Sequence, residues 1–227
     1  MAEKSEKRRV FVWDAPTRLF HWIIVAAVAI AWATGDADSP FWFDVHLAAG
    51  YTVLAALVFR VIWGFAGSRH ALFRDFLRPL GVVRDYTKKL ACLKPPHFTG
   101  HNPLGGWMVI LLLLVLAGTV ATGLFSGEHD EAEVGPLAYL LAPALAEELV
   151  EIHEVLFNVL LVLVGIHIAG VIADIVLTGD NLIAAMITGY KRVPAAAADA
   201  DAAPASPVRT VVVLIIAVAA TWLLISL

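Results

Sequence analysis

Apolar residues fall in long blocks along this chain, and polar residues are confined to the gaps between them. Runs long enough to cross a bilayer as helices cover Leu19–Thr34, His46–Ala66, Leu104–Phe125, Ile152–Leu177 and Val208–Leu227. The pattern predicts an all-α integral membrane protein with five spans. The first run is short and follows cations, which gives it the outline of a secretory signal cleaved after Ala33. A cleaved segment has no use for His21, Trp22 and Trp32, so the run reads as a span.

Composition points the same way. Of 227 residues, 60% are hydrophobic and 16% charged, against roughly 25% charged in an ordinary globular domain. The single cysteine, Cys92, excludes an internal disulfide framework, a cysteine-rich zinc or iron–sulfur site and CxxCH haem attachment. Any cofactor therefore rests on other ligands.

The formal net charge of −4 averages two opposite faces. Lys4, Lys7, Arg8, Arg9 and Arg18 precede the first span, and Arg69, Arg74, Arg78, Arg84, Lys88, Lys89 and Lys94 lie between the second and third. Lys191, Arg192 and Arg209 flank the gap between the fourth and fifth. The alternate gaps, Gly35–Val45 and Ser126–Glu151, hold no Lys or Arg; they carry Asp36, Asp38 and Asp44, and Glu128, Asp130, Glu131, Glu133, Glu147, Glu148 and Glu151. The positive-inside rule then puts the N-terminus in the cytoplasm and, after five spans, the C-terminus outside. The acidic outer loops either steer a basic partner or simply stay solvated. Residues 193–207, rich in Ala and Pro, read as a flexible linker that sets the fifth helix apart as an anchor or partner-packing appendage. In the inner loop, Arg74, Arg78 and Arg84 are spaced as on an amphipathic helix lying on anionic lipid.

Four of the eight histidines, His21, His46, His153 and His167, fall in or at the ends of spans. Ionisable residues at that depth are expensive and mark candidate sites, although any one alone is equally well an interfacial, hydrogen-bonded histidine. His153 and His167 are 14 residues apart, which on a helix returns them to nearly one face about 21 Å apart along the axis. Span direction then places His21 at the depth of His167, and His46 at the depth of His153. Two facing imidazole pairs suit two haems, each held from both sides. Zinc wants more ligands at one depth, and a proton relay wants carboxylates through the middle; here Glu154 and Asp174 sit only toward the two ends. Gly50, Gly118, Gly123, Gly165 and Gly170 allow the close approach a flat macrocycle needs, though small residues also pack bare helices. Arg60, 14 residues after His46, shares its face at the depth of the inner pair. Its guanidinium either binds a haem propionate or snorkels to the interface.

Several ordered motifs carry a resemblance. Trp13-Asp14-Ala15-Pro16-Thr17-Arg18-Leu19-Phe20-His21-Trp22, His46-Leu47-Ala48-Ala49-Gly50-Tyr51, Arg60-Val61-Ile62-Trp63-Gly64-Phe65, Gly100-His101-Asn102-Pro103-Leu104-Gly105-Gly106 and the His153/His167 pair are together similar to the bacterial cytochrome b561 and Ni/Fe-hydrogenase b-type cytochrome family. The resemblance covers residues 10–192. It implies a four-helix bundle binding two haem b groups over residues 1–192, with residues 208–227 as an added fifth helix. It also implies His21 and His167 as ligands of the inner haem and His46 and His153 as ligands of the outer one. Arg60 and Arg18 would balance propionate charge. Relatives bind menaquinone near the start of the third helix, which implicates Asn102, His101 and His70 here.

The expected activity is electron transfer across a bacterial inner membrane, between ubiquinone or menaquinone and a redox protein such as a c-type cytochrome, a hydrogenase or a dehydrogenase. Lipid, quinone and that protein are the expected partners; nucleic acid is not. Two alternatives stay open: a self-contained quinone oxidoreductase acting on a small oxidant such as superoxide, which the acidic outer loops disfavour, and a haem-free transport or assembly subunit.

Overall fold

The computed structural model describes residues 7–36, 39–127, 134–195 and 202–227. Lys4, Asp38, Glu128, Asp130, Glu131 and Glu133 lie outside the described residues. Strand β1 (Lys7–Phe11) leads into helices α1 (Ala15–Thr34) and α2 (Pro40–Ala66). A 3-10 turn at Arg69–Ala71, helix α3 (Phe73–Phe76) and helix α4 (Leu80–Ala91) follow, then α5 (Pro103–Phe125) and, after a second 3-10 turn at Ala138–Leu140, α6 (Pro143–Thr178). The order closes with α7 (Leu182–Thr188), strand β2 (Tyr190–Pro194) and α8 (Pro207–Ile225). Helices α1, α2, α5, α6 and α8 are long and apolar enough to cross a membrane.

The spans begin earlier than their apolar runs. Helices α2, α5, α6 and α8 each start on a proline, a residue suited to the first helical position because its missing N–H would have no partner there. The apolar runs stop short at Asp44 and at Glu151, whereas α2 and α6 continue back through these acidic residues, so His46 and His153 lie inside their helices rather than at the start. Glu147, Glu148 and Glu151, read as loop residues, are helical. The inner-loop amphipathic helix is also broken in two: Arg74 lies on α3, Arg84 on α4, and Arg78 in the break before Pro79, the N-cap of α4. Proline lacks the N–H that a continuing helix needs and disfavours the α conformation at the residue before it.

The chain divides into two units. The first takes the described parts of residues 1–18, 62–110 and 164–210. It contains an antiparallel hairpin that the sequence reading did not foresee, pairing β1 with β2 from Lys7↔Pro194 to Phe11↔Tyr190. The first two residues of the linker read at 193–207 are thus strand, and residues 196–201 lie outside the described residues. One face of the hairpin packs Val10 and Val193 with Val12, Trp13 and Ala185 into a small core. Asp180, buried just past the end of α6, holds the neighbouring segments by ion pairs with Lys191 Nζ at 3.2 Å and Lys7 Nζ at 3.7 Å and a hydrogen bond with His97 Nδ1 at 3.0 Å.

Asp14 organises the other side of this unit. It caps α1 by accepting the Thr17 backbone N–H at 2.8 Å, while its second oxygen accepts the Trp63 indole N–H at 3.1 Å and the Ser68 backbone N–H at 3.4 Å. Both side chains are buried, at 1% and 0% exposure. A Cβ at position 64 would lie 2.1 Å from the Phe73 ring, so Gly64 is what lets α3 lie against the end of α2. The Trp13-Asp14 and Trp63-Gly64 motifs are two halves of one joint.

The second unit takes residues 19–61, 111–163 and 211–227. Its helices turn large apolar side chains outward, among them Leu114, Val155, Val162 and Trp222, as a lipid-facing surface does. On α8 the buried residues Val213, Ala217 and Thr221 recur every four positions, which is one helix face.

Candidate functional site

In the second unit, α2 and α6 bring His46 and His153 together, with ring centroids 6.2 Å apart and planes at 70°. Two imidazoles on opposite sides of one metal ion, each with a bond of about 2 Å and a ring centre about 1 Å beyond, come to about 6 Å between centres. Each Nδ1 meets a backbone carbonyl: His46 with Ala31 at 3.0 Å, and His153 with Thr119 at 2.8 Å. A carbonyl only accepts, so in both rings Nδ1 donates its N–H and Nε2 keeps the lone pair. This is the second-shell bond that fixes the tautomer of a metal-binding histidine.

The acceptors follow from local structure. Ala31 lies in the last turn of α1, where carbonyls have no helical partner. Thr119 lies one turn before Gly123 on α5, and a Cβ at position 123 would stand 2.8 Å from Cε1 and 2.9 Å from Nδ1 of His153. The missing side chain opens the helix surface to the ring. Around the pair is an apolar pocket lined by Ala31, Leu47, Gly50, Leu116, Val120 and Phe157, with no atom within 4 Å of a Cβ built at Gly50. Among the described residues, no three His, Cys, Asp or Glu side chains gather as a metal-ion cluster. Two imidazoles beside apolar space, each with Nδ1 engaged by a carbonyl, fit a site where both would hold one haem. Gly123→Ala is therefore expected to push the His153 ring off its carbonyl and reduce bound haem in the purified protein, measured as the haem-to-protein ratio; unchanged haem content would contradict the close approach.

The other predicted residues are placed as follows. His21 is half-buried on α1, edge-on to Trp22 with centroids 5.0 Å apart, and His167 is half-buried on α6 between Gly165 and Gly170, beside which a built Cβ meets nothing within 4 Å. Arg60 on α2 is only 3% exposed. The Arg18 guanidinium donates through Nη1 to the Ile187 carbonyl near the end of α7.

His70, His101 and Asn102 come together in the first unit. Trp13 packs edge-on near both imidazoles, 6.4 Å from His70 and 4.6 Å from His101 between centroids, and Phe76 lies 4.7 Å from His101. His70 is 2% exposed and its Nδ1 donates to Asp75 at 3.0 Å. Asn102 caps α5 by accepting the Gly105 N–H at 2.7 Å, and its Nδ2 donates to Asp174 at 2.7 Å. Sequence reasoning missed two members of this group. Asp75 carries no signal beyond lying five residues from His70. Tyr86 was silent because its partner, Asp174, is distant in sequence. Burial, and then the Asp174 carboxylate beside it as charge and hydrogen-bond acceptor, push the Tyr86 phenol up to about 12, so it stays a neutral donor.

Comparison with known proteins agrees with these features. The family model for prokaryotic cytochrome b561 matches residues 12–189. Among curated relatives, each named as a probable Ni/Fe-hydrogenase B-type cytochrome subunit, one from Rhizobium leguminosarum bv. viciae is 25% identical, covering 82% of this chain and 90% of that protein. One from Azotobacter chroococcum mcd 1 is 26% identical over 83% and 91%. The Escherichia coli K12 hydrogenase 1 subunit is 22% identical over 80% and 90%. No solved structure matches the chain. With Trp13-Asp14, Trp63-Gly64 and the paired histidines all inside the matched span, the chain belongs to the prokaryotic cytochrome b561 family and is a multi-pass membrane b-type cytochrome of electron transfer.

Proposed function

We propose that this cytochrome carries two haem b groups and passes electrons between membrane quinone and a hydrogenase-type redox partner, in a bacterial inner membrane with the N-terminus cytoplasmic and the C-terminus periplasmic. The observation that carries the reading is the His46/His153 pair, with both Nδ1 atoms donating to carbonyls and both Nε2 lone pairs left for metal. His21 and His167 hold the second haem. A haem held by two histidines supplies one-electron exchange at iron. Two imidazoles holding one haem would leave its iron no open position for oxygen, which favours transfer over oxygen chemistry. Arg60 and Arg18 balance propionate charge. Asn102, His101 and His70 form the quinone contact: Asn102 offers an amide oriented by Asp174, and His70, with Nδ1 engaged by Asp75, takes or gives a proton at Nε2, a buried atom with no hydrogen bond among the described residues. The partner is supported by the names of the relatives, hydrogenase cytochrome subunits, and by the acidic segments without Lys or Arg at Gly35–Val45 and Ser126–Glu151.

The test is a reduced-minus-oxidised optical spectrum with haem quantification on the full-length protein in detergent, followed by addition of a quinol. Two b haems per chain, reduced by quinol, are expected. A preparation without b-type bands, or with one haem per chain, overturns the two-haem reading; haems that no quinol reduces overturn the quinone assignment.

A further inference from the structure

The β1–β2 hairpin places Arg9 directly opposite Arg192. Like charges across an antiparallel pair destabilise it. Strand alternation puts Lys7, Arg9, Tyr190 and Arg192 on the exposed face, while Val10, Lys191 and Val193 face inward. Lys191 is taken up by Asp180 and by the Phe98 carbonyl at 2.7 Å, and Lys7 reaches Asp180 only at 3.7 Å. Among the described residues no carboxylate forms an ion pair with Arg9 or Arg192. Arg9 lies over the Tyr190 ring at 3.9 Å, which fixes the guanidinium plane and leaves its N–H edge for an anion.

Lys7, Arg9, Tyr190 and Arg192 line a cleft of about 420 Å³ together with Gly179 and Asn181. Its position is informative. Gly179 is the first residue after the span Pro143–Thr178, so the cleft opens where a membrane helix ends. On α7, Ile183 and Ile187 are 51% and 57% exposed and four residues apart, hence on one face. A cationic cleft beside an outward apolar edge at the end of a span has the chemistry of a lipid headgroup site.

We propose that this cleft binds the phosphate of an anionic phospholipid. Arg9 and Arg192 hold the phosphate oxygens as forked donors, Lys7 adds charge at the rim, and Ile183 and Ile187 lie against the acyl chains. The bound phosphate offsets a repulsion that the hairpin otherwise carries. The site stands apart from the haem and quinone reading and does not depend on it.

Thermal unfolding of the full-length protein in detergent tests this at low ionic strength, with added cardiolipin, phosphatidylcholine or inorganic phosphate. Cardiolipin is expected to raise the melting temperature by roughly 5 °C or more near saturation, with no comparable shift from phosphatidylcholine. In Arg9→Gln/Arg192→Gln the cardiolipin concentration giving half the shift should rise at least about tenfold, an effect of the size of a lost charge-assisted bond. Arg192→Gln alone covers the case in which the double variant fails to fold; without lipid it should melt no lower than the parent, because it relieves the Arg9 repulsion. Lys89→Gln/Lys94→Gln removes the same charge elsewhere, at two exposed positions, and should keep the full shift. Equal shifts with phosphatidylcholine, an equal loss in Lys89→Gln/Lys94→Gln, or an undiminished response in Arg192→Gln overturns the site. A full shift with inorganic phosphate alone overturns the lipid as its occupant.

Discussion

His46→Ala and His153→Ala are each expected to leave one haem per chain, and both to spare the same haem. The two rings stand 6.2 Å apart and would hold one haem together, so either loss would remove half of its ligand pair. Removing the imidazole takes one donor from the Ala31 or Thr119 carbonyl, which still accepts from the Thr34 hydroxyl at 3.4 Å or the Thr122 hydroxyl at 2.9 Å; the loss of about 1 kcal/mol should not unfold the chain. The remaining haem then serves as the internal control: its spectrum stays, the optical haem content falls by half, and electron transfer from quinol to partner falls to background. His21→Ala and His167→Ala should remove the other haem. If His153→Ala and His21→Ala eliminate the same haem, the ligand pairing is wrong; if all four variants keep two haems, these histidines are not ligands.

A second large effect is expected at Asp14, which touches no cofactor. Its carboxylate accepts from Thr17, Trp63 and Ser68 while 1% exposed. Asp14→Ala leaves the indole and backbone donors without partners in a buried place and removes the cap of α1, a loss of about 3–5 kcal/mol. For a chain of this size that is roughly a 10 °C drop in melting temperature. Asp14→Asn, which keeps an acceptor oxygen, should fall between. Trp63→Phe removes one donor with its acceptor still served by others and should cost least. A parent-like melt in Asp14→Ala would show that the joint does not hold α1 to the end of α2.

Much of the fold was legible because lipid simplifies the problem. A span must be helical to satisfy its own backbone, so five apolar blocks translate directly into α1, α2, α5, α6 and α8. Helix starts were less legible, since Asp44 in α2 and Glu147, Glu148 and Glu151 in α6 read as loop although they are helical. The split between α3 and α4 was readable in principle from Pro79, but arginine spacing alone suggested continuity. The hairpin was not readable: β1 is short and basic, and its partner lies at Tyr190–Pro194, at the far end of the unit's chain.

At the candidate site the same division holds. The sequence by itself determined the span count, the segregation of cations from carboxylates, and the histidines whose type and spacing suit haem, because these depend on composition and on the 3.6-residue period. Only the tertiary structure decided that the acceptors orienting His46 and His153 are the carbonyls of Ala31 and Thr119, that Asp174 draws in Asn102 and Tyr86, and that Arg9 faces Arg192. Every residue carries a backbone carbonyl, so no residue type marks the one that will accept. Which one does, and which like charges are forced together, is settled when separate segments pack closely enough for a glycine such as Gly123 to matter.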